Sequence, residues 1–177
     1  MNQAHLEQQL QELPLYQYAF FSTKELNFTE RVRHICQDDC PRYNTTWACP
    51  PAVGTVSECK EQCLQYPNVL VITTVTEVED IANLEETLKT RLEHEEITCL
   101  VAELMREQGC QLRILSTESC AICPQCAYPD APCRHPEKMY PCVESQGILT
   151  TEIYEKMGME FFNGNIATWM SLLLYRD

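Results

Sequence analysis

Asn68-Val-Leu-Val-Ile-Thr-Thr-Val75 is the stretch whose reading decides the fold class. It is short, apolar and β-branched, which marks a buried strand. Downstream, Asp80 can cap a helix carrying Ile81, Leu84 and Leu88 at helical spacing. A second helical pattern follows with Ile97, Leu100, Val101, Leu104 and Met105, and Gly109 stands where a C′ glycine belongs. Gln111 to Ser116 then alternates as a strand does, with Leu112, Ile114 and Ser116 on one face. Thr150 to Met157 reads as a short helix stopped by Gly158, Thr168 to Tyr175 as a last strand, and Tyr16 to Ser22 as a further one. Strand–helix–strand order predicts an α/β fold: a small mixed sheet of about four strands with helices packed on it. The cysteine-rich loops are expected at strand ends, where a rigid scaffold commonly displays its chemistry.

The chain has 177 residues and 12 cysteines. Residues 1–177 read as a single metal-binding domain, long enough to bury a core without covalent staples, so the cysteines need another explanation. Disulfides require an oxidising compartment. The start, MNQAHLEQQLQELP, has no basic segment followed by an apolar one, and no run approaches the roughly 18 apolar residues of a membrane span. The expectation is a cytoplasmic protein with reduced thiols, in which clustered cysteines mean metal or catalysis. Net charge is −13, which argues against nucleic acid and anionic membranes because phosphate recognition rests on Lys and Arg. An acidic surface serves solubility, or steers a basic partner.

The cysteines fall into two groups, residues 36–63 and 120–142. The second reads Cys120-Ala-Ile-Cys123-Pro-Gln-Cys126-Ala-Tyr-Pro-Asp-Ala-Pro-Cys133-Arg-His-Pro136, a C-x2-C-x2-C-x6-C spacing. Three thiolates so close together let a loop curl around one compact object, and a cubane offers several iron corners that each take one thiolate. Pro124, Pro129, Pro132 and Pro136 stiffen the loop. A Cys₄ zinc site is the alternative, but zinc usually takes two C-x2-C knuckles, and Cys126 with Cys133 is not one. The spacing also differs from the ferredoxin run, which has three residues before its fourth cysteine and a proline directly after it. Arg134 is a candidate for tuning the cluster, whereas His135 reads as a loop residue.

The first group reads Cys36-Gln-Asp-Asp-Cys40-Pro-Arg-Tyr43-Asn-Thr-Thr-Trp47-Ala-Cys49-Pro50-Pro51-Ala-Val-Gly54, with Cys59 and Cys63 beyond. Cys36, Cys40, Cys49 and Cys59 can supply four more ligands on a segment whose prolines and glycine predict irregular structure, not a helix. Tyr43 and Trp47 can shield a cluster from water, but read better as packing aromatics. Cys59 and Cys63 share a face if helical, so one can be a ligand and the other a core residue. Cys99 reads as a small buried hydrophobe, and Cys110 and Cys142 stay unassigned.

These residues resemble a family of predicted metal-binding proteins, domain of unknown function 2284. The resemblance runs through Val32-Arg33, Cys36, Cys40, Tyr43, Trp47, Cys49-Pro50-Pro51, Gly54 and Cys59, then Cys120, Cys123, Cys126, Cys133-Arg134 and Pro136, and on to Glu144 and Gly147-Ile148. It departs at Tyr140-Pro-Cys142-Val, where the family pattern has Arg-Pro-Ser-Met. The resemblance implies a metal or iron–sulfur site and no reaction. Three functions stay open: electron transfer to a redox partner protein by one or two 4Fe–4S clusters, an enzyme using an open iron of a three-cysteine cluster as Lewis acid, and a structural zinc adaptor. The four histidines form no constellation in sequence.

Overall fold

In a computed structural model of the chain, residues 1–177 are described except for the side chain of Leu84, so its expected place on an apolar helix face lies outside the described part. Five α-helices and four strands follow in chain order: α1 (Gln3–Leu10), β1 (Gln17–Ser22), α2 (Glu30–Asp39), α3 (Val56–Leu64), β2 (Asn68–Glu77), α4 (Leu84–Glu107), β3 (Gln111–Leu115), α5 (Thr150–Met157) and β4 (Ile166–Arg176).

The α/β class is as expected, with one sheet in the order β1-β2-β4-β3. The sheet is not mixed, however: every neighbouring pair is antiparallel. The reason lies in β4. The α4 crossover does give β2 and β3 the same direction, but β4 inserts between them and runs against both. The central β2–β4 ladder extends from Asn68 opposite Tyr175 to Glu77 opposite Ile166.

Both faces of the sheet are covered. Leu70, Ile72, Ile114, Leu173 and Tyr175 pack with Leu6 and Leu10 of α1 and with Ile97, Val101 and Met105 of α4. On the other face Val69, Val71, Leu115, Met170, Leu172 and Leu174 pack with Cys63 of α3, Ile153 of α5 and Ile148. Burial on two sides explains why β2 reads as a continuous apolar run instead of an alternating one. The two expected helical patterns after β2 form one helix, α4, because no Gly or Pro interrupts residues 84–107. Asn83, not Asp80, caps it: Asn83 Oδ1 accepts from the Glu86 amide at 3.3 Å, while Asp80 closes a turn by accepting from the Ala82 amide at 2.9 Å.

One polar layer lies within this core. His94 of α4 is fully buried between Thr74 Oγ1 (2.9 Å from Nδ1) and Ser171 Oγ (2.8 Å from Nε2), and Thr98 donates to Ser171 at 3.0 Å. Burial holds the His94 imidazole neutral, with its pKa lowered to about 3. No helix is long and apolar enough to cross a membrane among the described residues.

Candidate metal centre

The first cysteine segment joins α2 to α3, and the second follows β3. The first is not irregular throughout. Cys36 lies on α2, Cys40 is its C-cap, and Cys59 and Cys63 lie on α3; the irregular part lies between Pro41 and Gly54. Thr55 and Glu58 form a capping box that starts α3: Glu58 accepts from the Thr55 amide at 2.7 Å, and Thr55 Oγ1 from the Glu58 amide at 3.2 Å.

All four cysteines of the second group, Cys120, Cys123, Cys126 and Cys133, line one cavity of about 230 Å³. Its remaining wall comes from the first segment, through Arg42, Thr46 and Trp47. Two features hold the loop in this curl. Arg134 donates from Nη1 to the Gln125 carbonyl at 2.9 Å, tying the end of the loop to its middle. Trp47 donates from its indole to the Ala131 carbonyl at 3.0 Å and stands edge-on to Tyr128 at 4.9 Å between ring centroids. Tyr128 in turn donates to Asn44 Oδ1 at 2.8 Å. Trp47 is therefore a latch between the two segments. The His135 amide points at Cys133 Sγ from 3.4 Å, a contact that stabilises negative charge on sulfur.

A second cavity, of about 380 Å³, is lined by Cys36, Cys40 and Cys49. Cys59 does not line it. The fourth thiol on its wall is Cys142, with the Glu144 carboxyl beside it. The two cavities adjoin: Arg42 lines both, and Thr46 on the wall of one lies 3.2 Å, Oγ to Oγ, from Ser119 on the wall of the other. Ser119 is itself the chain neighbour of Cys120.

Residues 19–175 match the family described as "Predicted metal-binding protein (DUF2284)", a span that contains both cavities. The chain belongs to that family. No curated protein and no solved structure matches it.

In this DUF2284 chain Cys36, Cys49, Cys120 and Cys142 are not poised as nucleophiles. Burial pushes Cys36 up to about 11 and raises Cys49 and Cys120 above the usual thiol range; it raises Cys142 furthest. A reactive catalytic cysteine needs the opposite, a pKa lowered by cations or a helix N-terminus. Metal ligation can overcome this cost, because the metal displaces the thiol proton.

The predicted ligands thus separate. The second group is gathered in one cavity, as is the trio Cys36, Cys40 and Cys49, whereas Cys59 stays in the interior. Its fully buried Sγ donates to the Val53 carbonyl at 3.3 Å and faces Arg33 Nη2 at 3.7 Å. Cys63 packs in the core and Cys110 borders the other face, but Cys99 is exposed, not buried as expected, because α4 turns it towards Tyr140 (3.7 Å). Sequence reasoning missed Cys142, Glu144, Thr46 and Ser119 as wall residues. For Cys142 there was a signal in its departure from the family pattern, and for Glu144 in its match to it; Thr46 and Ser119 had none.

Proposed function

We propose that this chain is an iron–sulfur protein that holds two 4Fe–4S clusters side by side and exchanges single electrons with a redox partner protein. The observation that carries this reading is the pair of adjoining cavities, one walled by all four second-group thiols and the other by Cys36, Cys40 and Cys49. A cluster supplies one-electron chemistry, and each corner needs one thiolate. The four second-group cysteines line one space together with Trp47, Ile122 and Met139, and the His135 amide is directed at Cys133 Sγ.

The loop spacing favours a cluster over zinc. Zinc usually takes two C-x2-C knuckles, and Cys126 with Cys133 is not one, whereas Cys120, Cys123 and Cys126 lie within one short loop, as ligands to adjacent corners of a cubane do.

Cys120 also faces a wider cleft of about 840 Å³ against α4, whose rim carries exposed Leu92, Leu100 and Ile122. A partner docked on this rim would lie beside Cys120 of the second cluster, and the net charge of −13 favours a basic one. The test is a redox titration followed by electron paramagnetic resonance. Two reduced clusters across a shared wall give a spectrum broadened by spin–spin interaction at full reduction. Protein with no reversible one-electron step, or with spectroscopically isolated centres, contradicts this reading.

A further inference from the structure

We propose that Cys142 is the fourth protein ligand of the first cluster and that Cys59 is not a ligand. This rests on the iron–sulfur reading above and decides whether that cluster is closed or has an iron open to substrate. Cys142 is distant in sequence from Cys36, Cys40 and Cys49, but lines the same cavity. Its backbone is fixed on three sides. The Cys142 amide donates to the Ala48 carbonyl at 3.4 Å, next to Cys49, and the flanking residues bond to Ser116 at the end of β3, through Ser116 N to Pro141 O and Val143 N to Ser116 O, both at 2.9 Å. Ser145 Oγ donates to the Cys142 carbonyl at 2.5 Å, and Arg33 Nη2 donates to the Ser145 carbonyl at 2.6 Å. The Cys142 side chain therefore enters the cavity from a rigid frame, as a ligand must.

Cys59 shows the contrary arrangement. It lies on α3 with no exposed surface, and both of its polar contacts, Val53 O and Arg33 Nη2, lie outside the cavity lining. Reaching the first cluster would require α3 to leave the core that holds Val56 and Cys63. In the structure the Cys142 thiol donates to Glu144 Oε2 at 2.9 Å. Ligation exchanges this S–H bond for an S–Fe bond and releases the proton to solvent. A first cluster held by Cys36, Cys40, Cys49 and Cys142 has a thiolate for every corner, so it carries electrons and does not bind substrate at iron.

The experiment compares wild-type protein with Cys142→Ala, Cys142→Ser and Cys59→Ala, all prepared anaerobically, by iron and sulfide content and by electron paramagnetic resonance of the oxidised state. Cys59→Ala is expected to keep the wild-type content of about eight irons. Cys142→Ala is expected to fall to between about four and about seven irons and to give the signal of a three-iron cluster, with the second cluster unchanged. Melting of the metal-free proteins separates ligand loss from misfolding. Should Cys142→Ala melt lower than wild type, Cys142→Ser, which keeps a hydroxyl for Glu144, carries the comparison. Full iron in the Cys142 variants, or iron lost from Cys59→Ala instead, overturns the proposal. So does loss in Glu144→Gln with none in Cys142→Ala, which assigns the corner to the carboxylate. Wild-type protein containing metal but no sulfide refutes the cluster reading separately. The ligand assignment is then read as zinc per chain in the same variants, where loss in Cys142→Ala alone supports it and loss in Cys59→Ala alone overturns it.

Discussion

Trp47 joins the two cysteine segments, and its removal should release the second cluster without touching the first. Trp47→Ala removes the indole bond to the Ala131 carbonyl and the edge-on contact with Tyr128. The hydrogen bond contributes about 1 kcal/mol. The aromatic pair contributes about 1 kcal/mol beyond its buried area. Burial of half an indole adds about 1 kcal/mol. About 3 kcal/mol less loop docking raises the opened population, and with it iron release, about a hundredfold. Trp47→Phe keeps a ring against Tyr128 and loses only the N–H, so release should quicken about fivefold. The assay is anaerobic transfer of iron to an excess of coloured chelator. Release from Trp47→Ala should become biphasic, with half of the iron leaving fast and half at the wild-type rate. A uniform acceleration of all the iron, or no acceleration, would refute the latch.

Two further outcomes follow from the same geometry. Replacing Cys123 and Cys126 together with Ala should leave about half of the iron, since each cavity has its own thiols; complete retention places the second site elsewhere. His94 has a folded pKa near 3 against an ordinary 6.5, so its contribution to stability is complete above pH 6.5 and is lost as pH falls from there towards 3. The loss is on the order of 5 kcal/mol over that window. Urea unfolding of metal-free protein across the range should show a component that His94→Gln lacks, and identical pH profiles for the two proteins would remove His94 from the account.

The sheet and its helices were readable because their signals are local. The apolar run of β2, the alternation of β3 and Gly158 after α5 each depend on a few neighbouring residues. Strand direction was not local. The α4 crossover points to parallel neighbours, and only the long-range pairing of β4 with both β2 and β3 makes the sheet antiparallel. The helix α2 was obscured because it has one buried apolar side chain, Val32, and so shows little periodicity. The same division runs through the candidate site. Cys120, Cys123, Cys126 and Cys133 form a cavity from one loop, so their spacing announced it. The first cavity joins α2, the Pro50 loop and the segment after β3, and a fourth wall thiol from so distant a stretch leaves no spacing to read. Cys59 looked eligible because it follows Cys49 closely, but the capping box at Thr55 turns the chain into α3 and carries Cys59 into the core.

Whether these thiols hold iron–sulfur clusters is decided by the content of iron, acid-labile sulfide and zinc in wild-type protein purified without oxygen. The protein should be brown, with about eight irons and about eight sulfides per chain and no stoichiometric zinc. Colourless protein carrying one or two zinc ions per chain and no sulfide would contradict the cluster reading.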